Sequence, residues 1–236
     1  MRIMGFDTSA RAASVAVAQD GRLVAETYLD IGLTHSETVL PAADALMKTA
    51  GLTPADMDVF AVSCGPGSFT GLRIGMAAVK ALAMACGKPC VPVSTLEALA
   101  WNAAAAAAPV CAAMDARCGQ VYAAFFMSDG ESVTRLSPDS ALAAGDLSER
   151  LEKLAEDSGK RVFFVGDGAV LCYNLFGAEL CRLAPADLRF GRAGSVCRAA
   201  LAAVSEGKTV EAGALVPNYL RLPQAEREKL AREGKA

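Results

Sequence analysis

Hydrophobic and polar positions follow two different periods along the first 50 residues. Three short apolar runs within residues 3–28 have the length of β-strands, and Asp20-Gly21 is a hairpin signal between the second and the third. Residues 39–50 carry apolar side chains at helical spacing, directly after a capping-box pattern at residues 34–37. This pattern predicts a three-stranded antiparallel meander followed by a helix.

The same order of elements returns in the second half of the chain. Residues 110–136 show another meander pattern, whose first strand ends in Asp115, and residues 146–176 show a helix, a strand and a helix in turn. Residues 193–205 are predicted to form a last core helix. The repetition predicts an α/β protein built from two similar β/α halves, with a hinge near residues 103–109.

A glycine-rich stretch at residues 64–75 separates a predicted strand at residues 59–63 from a helix predicted at residues 75–87. Such a turn can present backbone N–H groups to an anion, and it can equally let two backbones cross closely. No Gly-Lys-Ser/Thr follows the turn, and the third glycine of the dinucleotide fingerprint is absent. The residues alone leave both interpretations open.

Composition and charge narrow the class of protein. The 236 residues suffice for one large domain or two smaller ones, and 53% of them are hydrophobic. The net charge of -3 argues against a protein that grips nucleic acid by electrostatics alone. The eight cysteines form no Cys-x-x-Cys pair, which favours buried thiols in a reducing cytosol.

No segment of the sequence is predicted to enter a membrane. The first residues lack the apolar core of a signal peptide, and the longest apolar run, at residues 103–113, is too short to span a bilayer. We therefore expect a soluble cytoplasmic protein. Its domains are predicted at residues 1–105 and 106–222, followed by a charged tail at residues 223–236.

Short polar residues and glycines cluster at the predicted tip of the first hairpin and in the glycine-rich turn. They form a candidate nucleotide or phosphate site: Asp7, Thr8, Ser9, Gly65, Gly67 and Ser68. An actin-like ATPase holds metal-bound phosphates with an aspartate, short hydroxyls and N–H groups in such positions. The glycine pair that would hold adenosine late in such a fold is missing, so we predict that the site is degenerate.

The single histidine, His35, limits the catalytic chemistry. No Gly-x-Ser-x-Gly elbow supplies the serine of a triad, and one histidine cannot form a histidine-based metal site. The cysteines also lack the spacing of zinc ligands. We therefore expect no catalytic residue and no metal site, and we interpret His35 as a helix cap or an interface contact.

The stretch at residues 65–75, Gly-Pro-Gly-Ser-Phe-Thr-Gly-Leu-Arg-Ile-Gly, is the most distinctive motif of the chain. Together with His35-Ser36-Glu37 and residues 94–99 and 217–221, it resembles the TsaB (YeaZ) family over nearly the whole chain. Members of that family are non-catalytic partner subunits in bacterial threonylcarbamoyladenosine synthesis on tRNA. The resemblance implies an actin-like ATPase (ASKHA) fold of two ribonuclease-H-like halves, with a helical dimerisation face on the first half.

The resemblance also implies a function in support of a catalytic relative, TsaD. That relative transfers threonylcarbamoyl to N6 of the adenosine next to the anticodon in tRNAs reading codons that begin with A. Its metal-binding pattern, Asn-His-Leu-Glu-Gly-His, aligns with residues 94–99, where Thr95 and Leu99 replace the two histidines. Neither side chain can serve as an imidazole ligand, so the chain is expected to be non-catalytic on its own.

The partners implied by the resemblance are TsaD in a heterodimer, the ATPase TsaE in the same complex, a second copy of the isolated chain, and tRNA through the complex. No cofactor is expected, and whether a nucleotide sits at the subunit interface of the complex stays open. The family places the contact on the helices after His35 and after the glycine-rich turn, and a charge at Ala78 is expected to break it while leaving the fold intact. The residues predicted at this interface are His35, Leu40, Ala43, Met47, Arg73, Ala78, Ala81 and Ala85.

Two alternative functions stay open at the level of sequence. An independent actin-like small-molecule kinase or ATPase would bind Mg·ATP at Asp7, Thr8 and Ser9. A peptidase would need a nucleophile–base pair or a metal that this chain with one histidine does not display.

Overall fold

The computed structural model describes residues 1–221, which form two β-sheets with helices packed on them. The predicted charged tail at residues 223–236 lies outside the described residues. The elements of the first half are β1 (Arg2–Asp7), β2 (Ala13–Gln19), β3 (Arg22–Leu29), α1 (His35–Ala50), β4 (Val59–Gly65), α2 (Phe69–Cys86), β5 (Cys90–Ser94) and α3 (Thr95–Asn102). They are followed by β6 (Pro109–Asp115), β7 (Gln120–Ser128), β8 (Val133–Arg135), β9 (Ser140–Ala143), α4 (Ser148–Ser158), β10 (Val162–Val165), α5 (Ala169–Leu180), β11 (Cys181–Leu183) and α6 (Ala193–Ser205).

The two sheets share one strand topology. The first has the order β3-β2-β1-β4-β5, in which β2 is antiparallel to β1 and β3, and β4 is parallel to β1 and β5. The second has the order β11-β10-β6-β7-β8 with the same directions, and β9 also pairs with β7. An antiparallel meander continued by parallel crossover strands is the ribonuclease-H-like arrangement. The predicted duplicated α/β fold is therefore confirmed.

The central strand of the first sheet is apolar on both faces because helices cover both. Met4 and Phe6 of β1 pack with α1 and α2, whereas Ile3 packs with α6 on the opposite face. Gly5 shares that opposite face, where a Cβ would lie 2.7 Å from the Ala193 carbonyl oxygen. Alternating side chains of β1 thus contribute to two cores, one on each side of the sheet.

Helix α6 follows the second half in the sequence but packs on the first sheet. Near its N-terminus the Gly194 N–H donates to Glu26 Oε1 of β3 at 2.9 Å, and Glu26 also forms an ion pair with Arg192. The predicted second segment, residues 106–222, therefore contains a helix of the first core. The division at residue 105 stays a prediction.

Helices α1 and α6 match their predicted signals. The first begins at His35 with a capping box, in which the Glu37 carboxylate accepts the Thr34 N–H at 3.2 Å, and Gly51 caps its C-terminal end in the left-handed conformation. Helix α6 spans Ala193–Ser205, as its apolar periodicity predicts.

Helix α2 begins at Phe69, well before the predicted start at residue 75. Ser68 caps it, because its Oγ accepts the Gly71 N–H at 3.2 Å. Gly71 and Gly75 are helical, and a Cβ at these positions would lie 2.1 Å from the carbonyl oxygen and 2.2 Å from Oγ1 of Thr8, respectively. The predicted boundary was wrong because these two glycines serve a close contact with the first hairpin and not a turn.

Helix α3 ends at Asn102 and a short 3-10 helix follows at Ala104–Ala106, within the stretch of residues 103–109 where a hinge was predicted. The Asn102 side-chain amide donates to two backbone carbonyls at 3.0 and 2.8 Å, which fixes the chain where the helix ends. Strand β9 was not predicted.

Candidate functional site: a cleft between the halves and an exposed helix face

A cleft of about 760 Å³ lies between the two halves. Its walls come from segments at the carboxyl ends of four central strands: residues 9–11 after β1, 66–69 after β4, 114–117 around the end of β6, and Asp167 after β10. Residues 218–221 form a further side. Ligand crevices of α/β sheets lie at this end of the strands, which makes the cleft the candidate binding site of the fold.

The glycine-rich turn forms a close backbone junction at the cleft. The Ser68 N–H donates to the Ser9 carbonyl at 2.7 Å, and a Cβ at Gly67 would lie 2.4 Å from the same oxygen. Gly65 has a φ of +127°, and a Cβ there would lie 2.2 Å from the Asn218 carbonyl oxygen. The geometry favours the interpretation as a close crossing, since glycine lets three segments meet and the Ser68 N–H is already bonded within the protein.

Asp7, Thr8 and Ser9 are brought together beside the glycine-rich turn, and all three are buried. Asp7 Oδ1 accepts from the N–H and the Oγ of Ser9 at 3.0 and 2.8 Å, and Asp7 Oδ2 accepts from Ser63 Oγ at 2.6 Å. Burial raises the pKa of Asp7, opposed by the hydrogen bonds from Ser63 and Ser9. Thr8 Oγ1 donates to the Gly71 carbonyl at 2.8 Å. These contacts tie the first hairpin to β4 and α2.

The surroundings of Asp7 do not fit the metal-bound phosphate of an actin-like ATPase. The carboxylate accepts from three donors and is covered by Gly191, where a Cβ would lie 2.5 Å from Oδ2. Magnesium in such sites keeps several waters around it, and the buried carboxylate leaves no room for them. Asp7 is therefore a structural anchor of the hairpin. The degenerate phosphate site predicted at Asp7, Thr8, Ser9, Gly65, Gly67 and Ser68 stays a prediction.

The second half places an acidic turn at the corresponding position. Gly166-Asp167-Gly168 connects β10 to α5, as the glycine-rich turn connects β4 to α2, and a Cβ at Gly166 would lie 2.0 Å from the Ala113 carbonyl oxygen. Asp167 Oδ1 accepts the Asp115 N–H at 3.0 Å. Although Asp167 faces the cleft, the surrounding protein desolvates its carboxyl group and raises its pKa, and the charge of Asp115 acts in the same direction.

Three arginines also line the cleft, and sequence reasoning missed all of them as cleft residues. Arg11 stacks over the Phe190 ring at 5.1 Å, and an Arg221 N–H donates to the Ala116 carbonyl at 3.1 Å. Arg117 completes the set. Their position in the sequence could have indicated the cleft, because Arg11 and Arg117 each follow the aspartate that ends the first strand of their meander. Asp115 and Asp167 line the cleft beside these arginines, and Arg11 also forms an ion pair with Asp30.

His35 lies where α1, α2 and the first hairpin meet. Its Nε2 donates to the Ala10 carbonyl at 2.8 Å, and its Cδ2 would lie 3.2 Å from a Cβ at Gly71. The histidine thus joins the tip of the hairpin to both helices. Its predicted role at a partner interface stays a prediction.

The outer side of α2 is exposed and mostly apolar. Met84 is exposed at 71%, more than any other large hydrophobic residue of the described chain. We use the name α2 face for the surface formed by Arg73, Ala77, Ala81, Met84 and Ala85. By length and composition alone α2 could cross a membrane, but Met76 and Val79 on its inner side are buried against the first sheet.

Some of the residues predicted at the partner interface are exposed, and others are buried in the core. Four of them are exposed: Leu40, Arg73, Ala81 and Ala85. Three are buried in the first core: Ala43, Met47 and Ala78. A glutamate at position 78 would bury a carboxylate, so the expectation that this change leaves the fold intact is corrected. Helix α2 is apolar on both sides, and the sequence did not show which side faces the sheet.

The stretch at residues 94–99, where the resemblance implies that Thr95 and Leu99 replace two metal-binding histidines, is part of the core. Thr95 and Leu99 of α3 are buried, and Thr95 Oγ1 has no hydrogen-bond partner in the described part of the chain. Glu97 pairs with Arg135 of β8 at 2.9 Å. Within residues 1–221 no group of three or more His, Cys, Asp or Glu side chains is arranged to hold a metal ion.

Comparison with known proteins connects these features to a family. A family model described as TsaD: tRNA N6-adenosine threonylcarbamoyltransferase matches residues 31–229. The tRNA threonylcarbamoyladenosine biosynthesis protein TsaB of Escherichia coli K12 is 33% identical over 224 residues, which are 94% of this chain and 95% of that protein. The TsaB protein of Bacillus subtilis is 29% identical over 235 residues and 96% of each chain. The solved structure of YeaZ from Pseudomonas aeruginosa matches with a TM-score of 0.78 at 29% identity, over 93% of this chain and 99% of that one.

Two ribonuclease-H-like halves that face each other across a cleft define a protein of the actin-like ATPase fold class. Within that class the similarity extends over nearly the full length of both chains. The chain belongs to the TsaB (YeaZ) family.

Proposed function

We propose that this chain is the accessory subunit that binds and activates a TsaD-family transferase in tRNA threonylcarbamoyladenosine biosynthesis. Membership of the TsaB family supports the role in that biosynthesis. The proposal that the chain binds and activates a TsaD-family subunit rests on one observation. A helix face is exposed and apolar, whereas Asp7, Thr95 and Leu99, where reactive or metal-binding groups would stand, are buried. A protein of this kind acts through contact with a partner and not through its own reactive groups.

The absence of reactive groups is supported by three positions. Asp7 is enclosed and bonded to Ser63 and Ser9. Thr95 and Leu99 occupy the positions that align with metal ligands in TsaD, and neither is exposed. General acid–base or metal-assisted transfer needs a group that can reach the substrate, and none of these three side chains can do so.

The α2 face supports the choice of a protein partner. Contiguous exposed apolar surface on a soluble fold marks interaction sites. The alanines at positions 77, 81 and 85 allow a second helix to approach closely, and Met84 offers a flexible apolar side chain that adapts to its neighbour.

The proposal also covers the partners of the chain and its location in the cell. We propose a heterodimer with the TsaD-family subunit, joined in the complex by a TsaE-family ATPase, in the cytoplasm. The isolated chain forms a homodimer through the same face, because a self-complementary patch closes with two-fold symmetry. With a net charge of -3 the chain contributes little to phosphate binding, so tRNA is held by the assembled complex.

The cleft of about 760 Å³ favours a second candidate function, an independent ATPase or small-molecule kinase. Arg117 and Arg221 would favour an anion there, whereas Arg11 is already paired with Asp30. The buried carboxylate of Asp7 argues against it, because magnesium-dependent phosphoryl transfer needs an accessible carboxylate near the phosphates. A peptidase has less support, since the single histidine is bonded to the Ala10 carbonyl.

Complex formation separates the two candidates. The purified chain is mixed with the TsaD-family subunit of the same organism, and the molar mass is measured by light scattering after size exclusion. We expect a heterodimer, together with no ATP hydrolysis and no heat of Mg·ATP binding by the isolated chain in calorimetry. Separate elution of the two proteins would contradict the accessory role, and ATP turnover by the chain alone would support the second candidate.

A further inference from the structure

Arg73 on the α2 face is held in one orientation by two aromatic rings. Its Cζ lies 3.9 Å from the ring centroid of Phe69, and its Nε donates to the Tyr219 hydroxyl at 3.0 Å. The rings of Phe69 and Tyr219 stack on each other with centroids 4.6 Å apart. A long side chain on an exposed helix surface is normally free to rotate, and here it is fixed from two sides.

The orientation depends on a segment from the far end of the described chain. Asn218 N–H donates to the Cys64 carbonyl at 2.7 Å, which brings Tyr219 to the start of α2. Residues 65, 69 and 73 of the glycine-rich stretch all serve this contact. Gly65 makes room for the Asn218 carbonyl, as shown above, and the side chains of Phe69 and Arg73 hold Tyr219. The spacing of four places the last two one helical turn apart.

The fixed guanidinium has no acidic partner within the described chain. No carboxylate of residues 1–221 lies within 4.0 Å of Arg73. The Nε is used by Tyr219, which leaves the terminal NH₂ groups for a bidentate contact with a planar anion. An arginine that is oriented in advance and has no counter-ion among residues 1–221 is suited to an anchor for a carboxylate.

The position of Arg73 identifies the surface that this carboxylate must belong to. Arg73 stands at one end of the α2 face and Met84 at the other, about 16 Å apart at 1.5 Å per residue. Between them on this side, Ala77 and Ala81 are exposed and Lys80 is partly buried. A matching surface therefore combines a mostly apolar helix with an acidic residue near its end.

We propose that Tyr219 is a positioning residue for partner binding, which holds Arg73 so that its guanidinium meets an Asp or Glu carboxylate of the catalytic subunit seated on the α2 face. The inference rests on the proposed function, because the occupant is the TsaD-family subunit. It goes beyond the proposed function because it assigns residues 217–221 to partner binding and states that the partner residue opposite Arg73 is acidic.

The first test measures the dissociation constant of the purified TsaD-family subunit by calorimetry at low and at high salt. Arg73→Ala is expected to weaken binding about tenfold and to flatten its salt dependence, since it removes one charge pair. Arg73→Lys keeps the charge but lacks the planar guanidinium group. Its dissociation constant is expected to lie between those of the wild type and of Arg73→Ala. Arg198→Ala, at an exposed arginine of α6, is the matched control and should bind as the wild type does.

The second test separates positioning from mere folding. Tyr219→Phe removes only the hydroxyl that accepts from Arg73, and it is expected to weaken binding about threefold without lowering the melting temperature. In the Arg73→Ala background the same change should have no further effect. Tyr173→Phe on α5 is the matched control. An equal loss from Tyr219→Phe in both backgrounds would overturn the positioning role.

The outcomes distinguish this inference from the proposed function. Failure of the wild-type chain to bind the TsaD-family subunit would contradict the proposed function itself. Wild-type binding together with unchanged affinity in Arg73→Ala, Arg73→Lys and Tyr219→Phe would leave the accessory role standing and would overturn the anchor alone.

Discussion

Gly67, Gly71 and Gly75 each face an atom of the first hairpin. A Cβ at Gly67 would approach the Ser9 carbonyl, and a Cβ at Gly71 or Gly75 would approach Thr8, all at 2.4 Å or less. Such distances are far below van der Waals contact, so a side chain at Gly67 or Gly71 would require a shift of backbone, and one at Gly75 a shift of the Thr8 side chain. The sequence pattern is therefore explained by the contact between the glycine-rich stretch and the hairpin that carries Asp7.

Gly71→Ala is expected to lower the free energy of unfolding by about 2 kcal/mol or more, despite the better helix propensity of alanine. The cause is the 2.1 Å approach of the new Cβ to the Thr8 carbonyl oxygen, a backbone atom that cannot rotate away. Urea denaturation measures the change. Gly145→Ala is the control, because no atom lies within 4 Å of its Cβ position. A stable Gly71→Ala variant would contradict the packing explanation.

Thr95→Val is expected to raise the free energy of unfolding by about 1 kcal/mol, since the buried Thr95 hydroxyl has no hydrogen-bond partner in the described part of the chain. Thr8→Val makes the same chemical change where the hydroxyl donates to the Gly71 carbonyl at 2.8 Å, and it should lower stability by about 1–2 kcal/mol. Denaturation of both variants provides the comparison. Destabilisation of equal size in both would show that the Thr95 hydroxyl is bonded after all.

The raised pKa of Asp7 predicts a specific dependence of stability on pH. Because the folded state holds this proton to higher pH than the unfolded state does, the Asp7 contribution to stability falls as pH rises from the unfolded pKa through the folded one. Asp7→Asn cannot titrate, so its stability relative to the wild type should increase over that range. Urea denaturation from pH 4 upward measures the difference. A difference that does not change with pH would contradict the raised pKa.

At the scale of elements, α2 determines both the interior and the outer surface of the first half. Its inner side packs Met76 and Val79 into the core, and its outer side forms the α2 face. Periodicity predicted α1 and α6 well because their apolar residues lie on one side. It failed for α2 because both sides are apolar and because its first turns contain glycines whose neighbour, Thr8, is distant in the sequence.

Ala81→Glu on the α2 face is expected to weaken binding of the TsaD-family subunit at least about tenfold, because it places a charge in an apolar contact. The melting temperature should not change, since Ala81 is exposed. Ala78→Glu, on the buried side, should instead unfold the chain. Ala202→Glu on the exposed side of α6 is the control and should bind normally. Calorimetry measures the binding of the three variants, and thermal melts measure their stability. Normal binding by Ala81→Glu would exclude the α2 face as the contact.

At the scale of the whole molecule, the duplicated topology was visible in the sequence, because both halves open with a meander and continue with alternating helices and strands. The return of α6 to the first sheet was not visible. It depends on contacts such as Gly194 with Glu26, which are 168 residues apart. The cleft arginines were missed for the same reason, since only the closure of the two halves brings Arg11, Arg117 and Arg221 together.

The most direct test of the accessory role is reconstituted threonylcarbamoylation of tRNA. The reaction contains the TsaD-family and TsaE-family proteins and the adenylate-forming enzyme, with and without this chain, and modified adenosine is quantified by mass spectrometry of nucleosides. We predict modification only when the chain is present, none from the chain without the TsaD-family subunit, and a strong loss with Ala81→Glu but not with Ala202→Glu. Full modification in the absence of the chain would contradict the account.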